Sequence, residues 1–168
     1  MGSGRLLRRV LIFGNSGSGK STLAKRLKQR EGLEHLDLDA LAWLPTRPPE
    51  RMPISESEKA IRDFIAANDS WAIEGCYADL LELAVPEANE LIFLNLSVER
   101  CIDNARSRPW EPHKYESREA QDANLDMLIN WIAQYPDRTD TFSESAHRSI
   151  YDNFRGKKRI YSSNIGNI

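Results

Sequence analysis

The stretch "GNSGSGKST", residues 14–22, decides the fold. Gly14, Gly19, Lys20 and Ser21 fit the G-x-x-x-x-G-K-[ST] spacing at every fixed position. Glycines at 14, 17 and 19 let the backbone curl until its N–H groups face anionic oxygens, and a helix starting behind them adds the positive end of its dipole. Lys20 supplies a mobile point charge for β- and γ-phosphates, and Ser21 a hydroxyl for Mg²⁺, with Thr22 the less suited substitute. Asn15, Ser16 and Ser18 complete the loop. A Gly/Ser-rich connection could match by accident, but this one sits between the apolar run ending at Gly14 and "STLAKRL", where Leu23 and Leu27 lie four apart. Strand, phosphate loop, helix is the pattern, so ATP and Mg²⁺ are the expected ligands.

Outward from the loop, elements alternate. "LEHLDLDAL" reads as a second strand running to about residues 37–39, and four prolines in "AWLPTRPPERMP" forbid a regular element over 42–53. "SESE" at 55–58 is a capping-box pattern that predicts a helix start, with Ala60, Ile61, Phe64 and Ile65 on one face. "WAIEG" (71–75) and the apolar "ELIFLNL" (90–96) read as strands, and Ser97 as the cap of the next helix. "RPWEPHKYES" breaks the periodicity, after which Leu128, Trp131, Ile132 and Tyr135 predict one long helix before Pro136. A last helix with Ile150, Tyr151 and Phe154 hands over to a strand at "KRIYSS". Such alternation implies an α/β fold with a parallel, helix-covered sheet.

In an open sheet of this kind ligands bind beyond the carboxyl ends of the strands. Asp37, Asp39, Glu74, Asn95 and Ser97 fall there. Asp37 and Asp39, two apart in an extended chain, would point to the same side. Phosphoryl transfer to an alcohol needs one carboxylate for Mg²⁺ or its water and another to orient or deprotonate the hydroxyl. The pair could divide that work, or merely cap a strand and begin a turn. Glu74 and Trp43 are further candidates for the acceptor side, the indole either stacking on a substrate ring or sealing the core edge. Arg106, Arg108, His113, Lys114 and Arg118 gather in the proline-broken segment. That segment reads as a closing lid or a solvated face. Arg108, beside Pro109, is the favoured catalytic cation, and His113 reads as a surface histidine.

At 168 residues and 19.2 kDa, with 23 basic and 25 acidic residues, the chain suits one domain over 5–168, with 40–65 the acceptor-binding region and about 106–118 a lid. A net charge of -2 gives no support to a nucleic-acid or membrane surface. Two isolated cysteines point to neither a disulfide framework nor a zinc site. No apolar run approaches a membrane span and no signal-peptide pattern opens the sequence, so a cytoplasmic location is expected. Residues 1–4 read as a flexible leader.

"GNSGSGKSTLAKRL", "LDLDALAW", "WAIEG" and "LIFLNLSVERC…ARSRP" make residues 8–110 resemble the small phosphate-loop kinases of the shikimate, gluconate and nucleoside-monophosphate kinase group, nearest the adenylate-kinase-related topology modulation branch. The resemblance implies a P-loop NTPase three-layer fold, a five-stranded parallel sheet in order 2-3-1-4-5 with a short lid, and ATP with Mg²⁺. It maps Asp37 to the metal-associated carboxylate, Asp39 to the substrate carboxylate, Arg62 loosely to an arginine for an anionic acceptor, and Arg108 to the lid arginine. "EGCY" stands where shikimate kinases carry a glycine run, which argues against shikimate itself. The expected activity is ATP-dependent transfer of phosphate to a small-molecule acceptor, foremost a metabolite hydroxyl. Alternatives are a nucleoside monophosphate acceptor, with Arg47, Arg51 and Arg62 nearby, and a regulatory module that hydrolyses ATP slowly.

Overall fold

Apolar alternation builds the sheet. In the computed structural model, which describes residues 7–165, Val10 and Ile12 face one side of β1 (Arg9–Gly14), and Leu11 and Phe13 the other. The leader assigned to residues 1–4 lies outside the described residues. With β2 (Glu34–Asp37), β3 (Trp71–Gly75), β4 (Glu90–Leu94) and β5 (Lys157–Tyr161), β1 forms a parallel sheet in order β2-β3-β1-β4-β5. β3 and β4 are buried at every residue, as strands covered on both faces require.

Helices lie on both faces. α1 (Lys20–Glu31), α5 (Val98–Arg106) and α7 (Leu125–Ala133) pack Leu23, Leu27, Cys101 and Ile132 against Val10, Ile12, Ala72 and Ile92. On the other face α3 (Ile54–Ala67), α4 (Ala78–Ala84) and α8 (Glu144–Asn153) pack Ile61, Leu80, Leu81 and Ile150 with Leu11, Phe13, Ile73 and Phe93. The short α2 (Asp39–Ala42) follows β2, and α6 (Arg118–Ala123) precedes α7.

Three expectations change. α3 begins behind Pro53, so the "SESE" serine is not a cap; Ser57 is buried inside the helix and donates to the Leu41 carbonyl at 2.8 Å, fastening α3 to α2. α4 was not anticipated. The single long helix is two, α6 and α7, meeting at Asn124, and Tyr135 falls in a following 3-10 turn. Ser97 does cap α5, accepting from Arg100 N at 3.1 Å.

α8 also carries a buried lock. His147 donates from Nε2 to the Cys76 carbonyl at 2.7 Å and accepts at Nδ1 from the Tyr135 hydroxyl at 2.7 Å. It thereby ties α8 and the 3-10 turn to the carboxyl end of β3. Asn95, beyond β4, has its side-chain amide beside Glu144 and Arg148 of α8, and turned to suit them it donates to Glu144 at 3.2 Å and accepts from Arg148 at 2.9 Å.

Candidate functional site

The phosphate loop is held open from behind. Gly17 has φ 80° and its missing side chain is a steric need, because a Cβ would run into the Cys101 carbonyl. Gly19, φ 95°, is the N-cap of α1. Asn104 donates to Gly17 O at 2.8 Å, and Asn15 donates its side-chain amide to Ile132 O at 3.1 Å. The Asn15 side chain therefore pins the loop to α7. Lys20 Nζ rests on Asn15 O at 2.7 Å. Ser18 Oγ is buried with no hydrogen-bond partner, a group that awaits an acceptor or donor from outside the chain.

Ser21, one step into α1, donates to Glu74 Oε2 at 2.8 Å. Glu74 ends β3 and is 2% exposed. His35 Nε2 lies 2.9 Å from the same oxygen. Asp37 stands opposite Glu74 in the β2–β3 register. Its Oδ1 accepts from Asp39 N at 2.9 Å, making the turn into α2. Burial, then the carboxylates of Glu74 and Asp39, push the Asp37 carboxyl up to about 6. The extended "DLD" geometry is thus corrected. Leu38 is helical at φ -63°, ψ -20°, and Asp39 opens α2. Asp37 caps that turn, while the carboxylate on Ser21 is Glu74.

Asp39 faces the proline-broken segment that carries Lys114. Its Oδ1 accepts from Tyr77 OH at 2.5 Å, and its Oδ2 lies 3.6 Å from Lys114 Nζ. Lys114, 3.7 Å from Glu111 as well, keeps its proton more firmly than usual: burial works against the ammonium but the carboxylates of Asp39, Glu111 and Asp37 outweigh it. Trp43 Nε1 donates to Tyr77 OH at 2.8 Å and its ring meets Tyr77 edge-on, so the indole buttresses Asp39 from behind rather than facing the cavity. Arg108 lies 3.2 Å from Glu111 Oε1, an ion pair without hydrogen-bond alignment. His113 is exposed beside Glu111. Arg62 pairs with Glu58 along the exposed face of α3 at 3.2 Å. Arg51 is engaged by Asp79 at 3.1 Å and by the Ala42 carbonyl at 3.2 Å, over the Tyr77 ring.

Two cavities meet at the loop. One, of about 320 Å³, runs from Gly17, Ser18 and Thr22 to Asn104, Arg108 and Asn164. Asn104 and Asn164 exchange amide hydrogen bonds at 2.8 and 3.2 Å, tying the segment after β5 to α5. The other, of about 520 Å³, is bordered by Lys20, Ser21 and Lys25, by Asp39, Glu74 and Cys76, and by residues 108–115. Arg108 and Pro109 line both. Residues 40–65 contribute no lining to either cavity, because α2 and α3 direct their apolar face into the core. Burial pushes the Cys76 thiol up to about 12 and that of Cys101 to about 11, so neither is a thiolate.

His147 gives this region a measurable pH signature. Burial, with help from the Lys20 charge and opposed by the Cys76 carbonyl, lowers its pKa to about 4 from an ordinary 6.5. Between those values the unfolded chain binds a proton that the native state refuses. Stability from this residue is therefore complete above pH 6.5 and falls towards pH 4, by about 3 kcal/mol. Asp37, raised in the native state, works in the opposite sense over much of the same window. The difference between wild type and His147→Gln in denaturant midpoints at several pH values isolates the histidine. A constant difference would show that its protonation is not linked to folding.

The donor set suits Mg·ATP. An orphaned hydroxyl at Ser18, a loop in which Gly17 has no room for a side chain, and a hydroxyl–carboxylate pair at Ser21 and Glu74 are what a phosphate chain and a hard cation need. Among the described residues no cluster of three or more His, Cys, Asp or Glu side chains could hold a metal ion alone. Mg²⁺ bound with nucleotide needs only one or two protein oxygens besides the phosphates. Among the described residues no helix is long and apolar enough to cross a membrane.

Comparison with known proteins bears on the family and the fold. A protein of Bacillus subtilis (strain 168) described as "Uncharacterized protein YqaC" is 26% identical over 144 residues, covering 86% of this chain and 72% of the relative. A shikimate kinase from Acinetobacter baumannii, solved with shikimate, superposes with a TM-score of 0.53 at 14% identity, over 95% of this chain and 86% of its own. A sugar kinase from Janibacter sp. HTCC2649 gives 0.51 at 13%, over 94% and 86%. The AAA domain family matches residues 10–124, from β1 through the phosphate loop to the end of α6. The chain therefore belongs to the AAA domain family, and its sheet order and layers are those of the small P-loop kinases.

Proposed function

We propose that this protein transfers the γ-phosphoryl group of ATP, with Mg²⁺, to a hydroxyl of a small-molecule acceptor. The observation that carries this reading is that Lys20 and Ser21 share one cavity with the Asp39 carboxylate, under a cationic lid. Lys20 leaves the neutral Asn15 carbonyl for the phosphates. Ser21, whose proton rests on Glu74, keeps lone pairs for the cation, so Glu74 takes the metal-side role first given to Asp37. Ser21, with Glu74 behind it, would hold Mg²⁺, which when bound would offset the negative charge of the phosphates. Asp39 accepts the proton of the attacking alcohol as its oxygen bonds to phosphorus and ADP departs. Tyr77 fixes Oδ1, which leaves Oδ2 for that proton. Arg108, common to both cavities, stands where charge on the moving phosphoryl group develops.

A nucleoside monophosphate acceptor fits less well. Such a ligand is already ionised and needs arginines, yet none of Arg47, Arg51 and Arg62 lines either cavity. ADP release measured with sugars, polyols, hydroxy acids, nucleosides and nucleoside monophosphates, each against a no-acceptor control, decides between the readings. An alcohol should raise the rate. A rate that no compound raises overturns the kinase reading in favour of an ATP-hydrolysing regulatory module.

A further inference from the structure

The residue most unlike a bystander outside the phosphate loop is His35. It lies on β2 at the sheet edge, on the same face as Asp37, and reaches diagonally across β3 to Glu74. Its side chain is 16% exposed and that of Glu74 3%. An ionised carboxylate only accepts, so the imidazole donates from Nε2 and Ser21 from Oγ, both to Oε2. Two donors converging on one oxygen fix the carboxylate's position and rotation. With its proton directed at Glu74, Ser21 can present lone pairs to the cavity only while Glu74 stays where His35 holds it.

We infer that His35 is a positioning residue for the metal: through Glu74 it orients the Ser21 hydroxyl that receives the nucleotide-bound divalent cation. The inference rests on the proposed role of Ser21. Hydrogen bonds behind ligating groups orient them, and their loss lowers metal affinity by about 10- to 100-fold. A purely structural role, the satisfaction of a buried carboxylate, predicts lost stability and no selective effect on metal.

The test uses the full chain, Mn²⁺ as probe, and adenylyl imidodiphosphate as a non-hydrolysable nucleotide. His35→Leu should bind the analogue in EDTA as wild type does, while its Mn²⁺ affinity in the presence of analogue falls about 10- to 100-fold by electron paramagnetic resonance. His35→Gln, which keeps a donor at the reach of Nε2, should restore most of it. Wild-type Mn²⁺ affinity in a folded His35→Leu overturns the inference and leaves the kinase reading standing; failure of wild type to bind the analogue overturns both. Should His35→Leu not fold, wild type alone suffices. Adding Mg²⁺ to the analogue complex should shift the His35 ring signals in imidazole ¹H–¹⁵N spectra, and unmoved His35 signals overturn the inference.

Discussion

Asp39→Asn should abolish phosphoryl transfer while leaving ATP affinity at the wild-type value. Asparagine has nearly the same shape, and its Oδ1 can still accept the Tyr77 hydroxyl that now sits 2.5 Å from Asp39. What disappears is the charge facing Lys114 and the capacity to take the alcohol's proton. Removing a general base costs about 10²- to 10⁴-fold in turnover. The amide nitrogen would point at the Lys114 ammonium, donor against donor, so the contact with Lys114 weakens too. Lys114→Met separates the two effects, because it deletes that contact and keeps the carboxylate. Its turnover should fall far less, with a rise in acceptor KM. Acceptor-dependent ADP release supplies the rates and calorimetry the ATP affinity. Wild-type turnover in Asp39→Asn would rule out the base role.

The phosphate loop was legible because its chemistry resides in residue types at fixed spacing along one short segment. The strands were legible for a similar reason, since β1, β3 and β4 are apolar runs bounded by turn residues. What escaped the sequence depends on contacts made across the sheet. Glu74 meets Ser21 and His35 over separations of 53 and 39 residues, and Asn104 reaches Gly17 over 87. No local spacing encodes these pairs. Asp39 lines the larger cavity, but the turn at Leu38 replaces the extended geometry that would align it with Asp37. Arg62 matched a functional arginine by position, yet the helix phase that buries Ile61 turns its neighbour along the exposed face of α3 to Glu58. The "SESE" pattern failed because Pro53 already starts the helix, leaving the serines inside it. Residues 125–168 lie beyond the matched family segment. Even so, β5 extends the sheet and His147 is fully buried against Phe13 and Phe93, so α8 and β5 are bound into the same core.

Lys20→Ala should remove tight nucleotide binding. The ammonium rests 2.7 Å from a neutral backbone carbonyl, Asn15 O, an interaction worth about 1.5–3 kcal/mol for a charged donor. A polyphosphate offers more than that carbonyl, because it is charged and bound where the loop N–H groups and the α1 dipole already favour anions. Truncating one member of such a pair costs about 2–5 kcal/mol, or about 30- to 5,000-fold in affinity. Calorimetry with ATP reads this directly, and unaltered affinity would refute the phosphate-loop assignment. The variant also carries its own control for folding. The Lys20 charge contributes to the lowered pKa of His147. Without it, the imidazole should protonate at a higher pH while its ring signals keep the dispersion of a buried group. An unfolded or collapsed variant would instead return His147 to the ordinary histidine range. Lost ATP binding together with a small upward shift at His147 therefore assigns the loss to the missing charge in an intact loop.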